Sequence, residues 1–187
     1  MKQVPTRLDG PILLAPKVLG DERGFFVETY RRSVYAELGI PEEMVQDNHS
    51  RSRHGIVRGM HFQVGQGAAK LVRAGRGAIY DVVVDVRVGS PTFGEWEGFE
   101  LTEENMHMLY CPIGFAHGFC VLSDTADVMY KQSNYYADET ERGIAYNDPG
   151  VGIVWPLPVE ELIPSERDAT APRLSEIAKE LPFRYAA

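Results

Sequence analysis

Four short runs of the sequence hold side chains able to move a proton or bind an anion. Arg58-Gly59-Met60-His61-Phe62-Gln63 sets a histidine inside a strand-like segment. An imidazole with an ordinary pKa near ~6.5 serves there as a general base at neutral pH. A lone histidine at such a place also fits a core position with both nitrogens satisfied. Strict alternation puts Arg58 and His61 on opposite faces; Gly59 between them can host a bulge that turns both to one side. Gly114-Phe115-Ala116-His117-Gly118-Phe119 places a second histidine at a loop-to-strand junction. It suits a donor at a pocket mouth, or a turn whose histidine binds backbone. Asp127-Val128-Met129-Tyr130 and Asn134-Tyr135-Tyr136 carry phenols. A phenol can protonate a carbanion or stack on a base, and tyrosine is also common in strands for packing alone. Ser165-Glu166-Arg167-Asp168 carries a carboxylate that can orient an imidazole, or a solvated helix cap.

Metal chemistry of the small-barrel kind needs an H-x-H pair with a carboxylate and a third histidine. Two positions after His61 stands Gln63, and His49, His54, His107 and His117 show no paired spacing with His61. No catalytic metal is expected. Dinucleotide-binding, P-loop, G-x-S-x-G and H-E-x-x-H motifs are absent. The net charge of the 187 residues is −8, which argues against nucleic-acid or anionic-membrane binding. From Val45 to Arg76, six basic residues meet one acid. That stretch is net +5 and leaves −13 for the remainder. It reads as ordinary fluctuation of surface charge, or as an anion site for a small phosphorylated ligand.

The elements that must position these groups are mostly strands. The 18 glycines and 12 prolines fall between short β-branched or aromatic runs. Strands are predicted over 12–19, 24–30, 44–49, 55–63, 70–73, 78–87, 95–101, 106–111, 118–122, 127–134 and 144–146. Helices are predicted over 33–38 and 173–181. The clearest strand is 78–87, with Tyr80, Val82, Val84 and Val86 on one face and Ile79, Asp81, Val83, Asp85 and Arg87 on the other. Many short strands with little helix indicate a sandwich or barrel. The expectation is one all-β domain over 1–187, with a core about 10–156 and a C-terminal loop and helix over 157–187. A 44% hydrophobic and 25% charged composition excludes a disordered or low-complexity chain. No run reaches the ~18 apolar residues of a membrane helix. Met1-Lys2-Gln3-Val4-Pro5 has no apolar leader region, and Cys111 and Cys120 form no C-x-x-C pair. A cytoplasmic, reduced protein is therefore expected.

Taken together, the runs resemble one family. Asp21-Glu22-Arg23-Gly24-Phe25-Phe26-Val27-Glu28 is similar to its D-x-R-G-x-F-x-E signature. Gln46-Asp47-Asn48-His49-Ser50, the runs around His61 and His117, Ser90-Pro91-Thr92-Phe93-Gly94, Tyr130, Asn147-Asp148-Pro149 and Ser165-Glu166-Arg167-Asp168 follow in the family's order. The sequence thus resembles the dTDP-4-dehydrorhamnose 3,5-epimerase family of nucleotide-sugar enzymes from about Asp21 to Leu174.

The resemblance implies a cupin-type jelly-roll barrel, a metal-free active site with no cofactor, a homodimer, and a nucleotide-diphosphate sugar as substrate. It implies His61 as proton acceptor with Asp168 behind it, Tyr130 as proton donor and Lys70 at the keto oxygen. It implies substrate contacts from Arg23, Phe26, Glu28, Gln46, Asp47, Asn48, Arg58, His117, Glu141 and Arg167, with Tyr136 stacked on the base. The segment Val64–Ala69 is about one residue shorter than the family pattern. Three other readings stay open: a 3,4-ketoisomerase or single-centre epimerase on the same barrel, a metal-dependent cupin, and a sugar-binding module without catalysis.

Overall fold

Alternating apolar residues bounded by glycine and proline turns fold into two facing antiparallel sheets. The computed structural model describes residues 1–185. In chain order the strands are β1 (Lys2–Val4), β2 (Ile12–Ala15), β3 (Val18–Asp21), β4 (Gly24–Val27), β5 (Gln46–Arg53), β6 (Val57–Gln63) and β7 (Lys70–Arg76). They continue with β8 (Ala78–Asp85), β9 (Trp96–Thr102), β10 (Met108–Cys111), β11 (Phe115–Val121), β12 (Thr125–Gln132) and β13 (Glu141–Gly143). Among the described residues three short α-helices, α1 (Arg32–Glu37), α2 (Glu166–Ala169) and α3 (Leu174–Ile177), and one 3-10 turn, Val159–Glu161, accompany them. One sheet has the order β1-β2-β10-β7-β12-β5 and the other β13-β6-β11-β8-β9, while β3 and β4 form a separate hairpin. This is the cupin-type jelly roll.

The period-two pattern of β8 shows how the layers form. Ile79 and Val83 point between the sheets, into a core with Val72, Leu109, Phe119 and Val128. Val82, Val84 and Val86 point outward and would face water. Trp155, Leu162, Leu174, Leu181 and Phe183 from the C-terminal segment cover them. Each such side chain, fully buried, contributes about 1.5–3 kcal/mol, so the tail is a working layer of the fold. A third cluster packs Tyr35 of α1 and Ile40 over Leu14, Leu71 and Met108 on the outside of the other sheet.

Several boundaries differ from the sequence reading. The strand expected over 12–19 is two strands in different sheets, because Pro16 interrupts the ladder. The strand expected over 144–146 lies earlier, at β13; only the pairing of Ile144 with Met60 extends it. The helix expected over 173–181 is only the single turn of α3, since the chain must turn out to bury Leu181 and Phe183. His117 stands inside β11, not at its entry.

Candidate active site

A cavity of about 470 Å³ opens between the two sheets. The five-stranded sheet supplies Arg58 and His61 from β6 and His117 from β11. The six-stranded sheet supplies Lys70 from β7 and Tyr130 from β12. Simple alternation cannot bring Arg58 and His61 to one side, and a bulge does so. His117 pairs with His61 and Phe119 with Arg58, so β6 advances three residues where β11 advances two. Gly59 makes the extra step at φ +126°, and the Gly59–Met60 peptide is cis. A Cβ at position 59 would stand 2.5 Å from Gly118 Cα and 2.8 Å from the His117 carbonyl oxygen. The bulge therefore requires glycine.

His61 Nε2 lies 2.6 Å from Asp168 Oδ1. Asp168 is delivered by the tail: Ser165 caps α2 by accepting from the Asp168 N–H at 3.1 Å. Its second oxygen accepts from the Gly59 N–H at 3.4 Å. Burial works to raise the Asp168 pKa. The hydrogen bond and charge of His61, with the bonds from Ser165 and Gly59, outweigh burial and hold it below the usual carboxylate value. The carboxylate is thus an acceptor, so His61 donates to it from Nε2, which leaves Nδ1 as the ring nitrogen on the other side. Glu141 Oε1 stands 3.9 Å from that Nδ1. Arg167 bonds Glu141, and the Tyr136 hydroxyl donates to it at 3.0 Å.

Tyr130 faces this pair from the other sheet. Burial, then the charge of Glu141, raises its pKa against the lowering effect of Arg58, so the phenol keeps its proton. Lys70 Nζ donates to the His61 carbonyl at 3.5 Å. Burial lowers its pKa, and Cys111, Glu141 and Asp81 pull it back up.

Arg58, His117, Tyr136, Glu141 and Arg167 share the cavity with His61, Lys70, Tyr130 and Asp168. Gln46 and Asn48 stand beside it. Gln46 donates to Asn48 Oδ1 at 2.9 Å and accepts from the Tyr136 N–H at 2.8 Å. Asp47 lies between them and so turns to the opposite face, where Lys131 holds it at 2.7 Å. Arg23, Phe26 and Glu28 do not reach the cavity of their own chain. They lie on or just after the β3–β4 hairpin, where Arg23 pairs with Asp21, Glu28 pairs with Arg31, and Phe26 is 68% exposed.

Asp81 is a residue the sequence reading did not assign to the site. It is fully buried, with Oδ1 2.6 Å from His117 Nε2. An acid alternating with Ile79 and Val83 on an apolar strand was its available signal. Among the described residues no group of three or more His, Cys, Asp or Glu side chains is arranged to hold a metal ion.

A His–Asp pair and a phenol on facing sheets, in the cavity of a jelly roll, suit an isomerase that works by proton transfer. The family model described as dTDP-4-dehydrorhamnose 3,5-epimerase matches residues 5–176. The chain is 48% identical to dTDP-4-dehydrorhamnose 3,5-epimerase of Pseudomonas aeruginosa, over 90% of this chain and 93% of that protein. It is 42% identical to dTDP-4-dehydrorhamnose 3-epimerase of Streptomyces niveus, over 90% and 83%. The crystal structure of the 3,5-epimerase of Legionella pneumophila in complex with dTDP-4-keto-L-rhamnose superposes with a TM-score of 0.96 at 47% identity, covering 100% of this chain and 99% of that one. The chain belongs to the dTDP-4-dehydrorhamnose 3,5-epimerase family.

Proposed function

We propose that this chain inverts C3 and C5 of a dTDP-linked 4-keto-6-deoxyhexose, converting dTDP-4-dehydro-6-deoxy-D-glucose to dTDP-4-dehydro-L-rhamnose. The observation that carries this reading is the His61–Asp168 pair facing Tyr130 across one cavity, with the Lys70 ammonium on the same walls.

Hydrogens next to the C4 carbonyl are the acidic ones of such a sugar. His61 Nδ1 takes the proton from C5, and the electron pair of that C–H bond passes to the keto oxygen as an enolate. The Lys70 ammonium meets the developing negative charge. Asp168 stabilises the imidazolium. The Tyr130 hydroxyl then delivers a proton to the opposite face of C5. The phenolate regains a proton from water, the imidazolium releases one, and the same sequence repeats at C3. These groups need no metal or redox cofactor for that chemistry. Arg58 and Arg167 suit the diphosphate, the exposed ring of Tyr136 suits the base with Gln46 and Asn48 behind it, and His117 and Glu141 suit the sugar.

Arg23, Phe26 and Glu28 enter this reading through a second copy. The β3–β4 hairpin exposes Val18, Leu19, Phe25 and Phe26, an apolar patch suited to burial in a homodimer. Cys111 and Cys120 are free and buried, and no helix among the described residues is long and apolar enough to cross a membrane. Cytoplasmic action is the setting proposed.

Nuclear magnetic resonance in deuterated water with dTDP-4-keto-6-deoxyglucose tests the reading. Deuterium at C3 and C5 with inverted stereochemistry is the expected result. Deuterium at C3 alone assigns the chain the single-centre chemistry named for the Streptomyces niveus relative. No exchange at either carbon overturns the substrate assignment.

A further inference from the structure

The barrel interior holds a second His–Asp pair beside the first. His117 and His61 are register partners on β11 and β6. Asp81 reaches His117 from β8 on the other side of β11. The environments differ sharply. Asp168 accepts hydrogen bonds from His61 and a backbone N–H, and sits on a capped helix. Asp81 is 0% exposed, and neither of its oxygens nor His117 Nε2 completes a hydrogen bond of good angle.

A buried carboxylate with so little support is costly, and such groups concentrate at functional sites. Its one close contact fixes a proton. A carboxylate oxygen 2.6 Å from a bare nitrogen lone pair would set two acceptors against each other, so a proton lies between them. Nε2 is the ring nitrogen that faces the carboxylate, which assigns the proton to His117 Nε2. Nδ1 is the ring nitrogen left for the cavity that His117 lines.

We propose that Asp81 is a positioning residue for the reaction. It holds the His117 proton on Nε2, so that Nδ1 offers a lone pair to a sugar hydroxyl next to the carbonyl. The role of His117 toward the sugar rests on the function proposed above; the tautomer does not. The division of labour follows from charge. Lys70 can only donate and suits the keto oxygen, whereas His117 in this tautomer accepts and suits a hydroxyl. A site built to accept from a hydroxyl also rejects a sugar that lacks it.

Two measurements decide the matter. The first is nitrogen-15 spectroscopy of the histidine-labelled protein without substrate, with His117 assigned by the signals that vanish in His117→Gln. A protonated Nε2 and an unprotonated Nδ1 are expected. A proton on Nδ1 overturns the proposal, whatever the substrate proves to be. The second is a double-mutant cycle on kcat/KM for the sugar exchange. Asp81→Asn is expected to lower kcat/KM about tenfold to a hundredfold, the loss of one buried polar contact. In a His117→Ala background the same change is expected to matter less than about threefold, because Asp81 acts through that ring. Equal losses in the two backgrounds would mean a merely structural Asp81 and overturn the proposal. If Asp81→Asn does not fold, the tautomer of the unaltered protein decides alone. Absence of sugar exchange by the unaltered protein counts against the function proposed above and leaves the tautomer result standing.

Discussion

The two His–Asp pairs share a contact distance and differ in angle and in what surrounds them. Both contacts are 2.6 Å long, and their histidines are side by side. The first pair joins a strand to a helix 107 residues away, its carboxylate ionised and fully supported, its ring reaching partly into the open cavity. The second joins neighbouring strands within the barrel. Burial lowers the His117 pKa, although Asp81 opposes it. A carboxylate supported by other donors can stabilise an imidazolium as it forms, which is what a base needs. A carboxylate with one partner holds a neutral ring in place, which is what a binding contact needs. In the roles proposed above, the same two residue types serve proton transfer in one place and orientation in the other.

Three experiments would break or sharpen this contrast. The largest effect is expected from His61→Ala, which should slow deuterium exchange at C3 and C5 by roughly 10²–10⁴-fold while leaving the strand signature of the circular dichroism spectrum unchanged. Retained exchange would move the base elsewhere, with His117 the first candidate. Gly59→Ala comes next. It strikes the bulge that seats both Arg58 and His61, and should cost more than about 2 kcal/mol. For a chain of this size that lowers Tm by at least about 4–8 °C, measurable by calorimetry. The smallest effect concerns acid. Asp168 has its pKa depressed by folding, so the stability it contributes is complete above the unfolded value near ~3.9 and is lost as pH falls through the folded value. Asp168→Asn should flatten the acid limb of a stability-versus-pH curve. An unchanged limb would show that this carboxylate is no better supported than an ordinary one.

Part of the site is legible in the sequence because it is local. Failed alternation between Arg58 and His61, with a glycine between them, announced the bulge. The period-two pattern of 78–87 separated the inner from the outer core. The same rule applied to Gln46-Asp47-Asn48 separates Asp47 from its neighbours, a distinction that treating the run as one motif obscures. What stayed hidden depends on distant pairing. Nothing local says that Asp81 will meet His117, or that Arg23, Phe26 and Glu28 will stand away from the cavity of their own chain. The helix expected over 173–181 stops after one turn because the outer face of β8 dictates where Leu174 and Leu181 go.

The position of Asp168 also orders events in time. Every strand of both sheets through Gly143 precedes it in the sequence, and Asp168 follows by about 25 residues. At translation rates of about 5–20 residues per second, synthesis reaches the carboxylate roughly 1–5 s after the last strand. A nascent chain can therefore close its barrel around His61 before that imidazole has a counter-charge. In the proposed mechanism the base gains its counter-charge only when the tail docks, and a protease that trims the tail would remove both that carboxylate and the layer that covers Val82, Val84 and Val86.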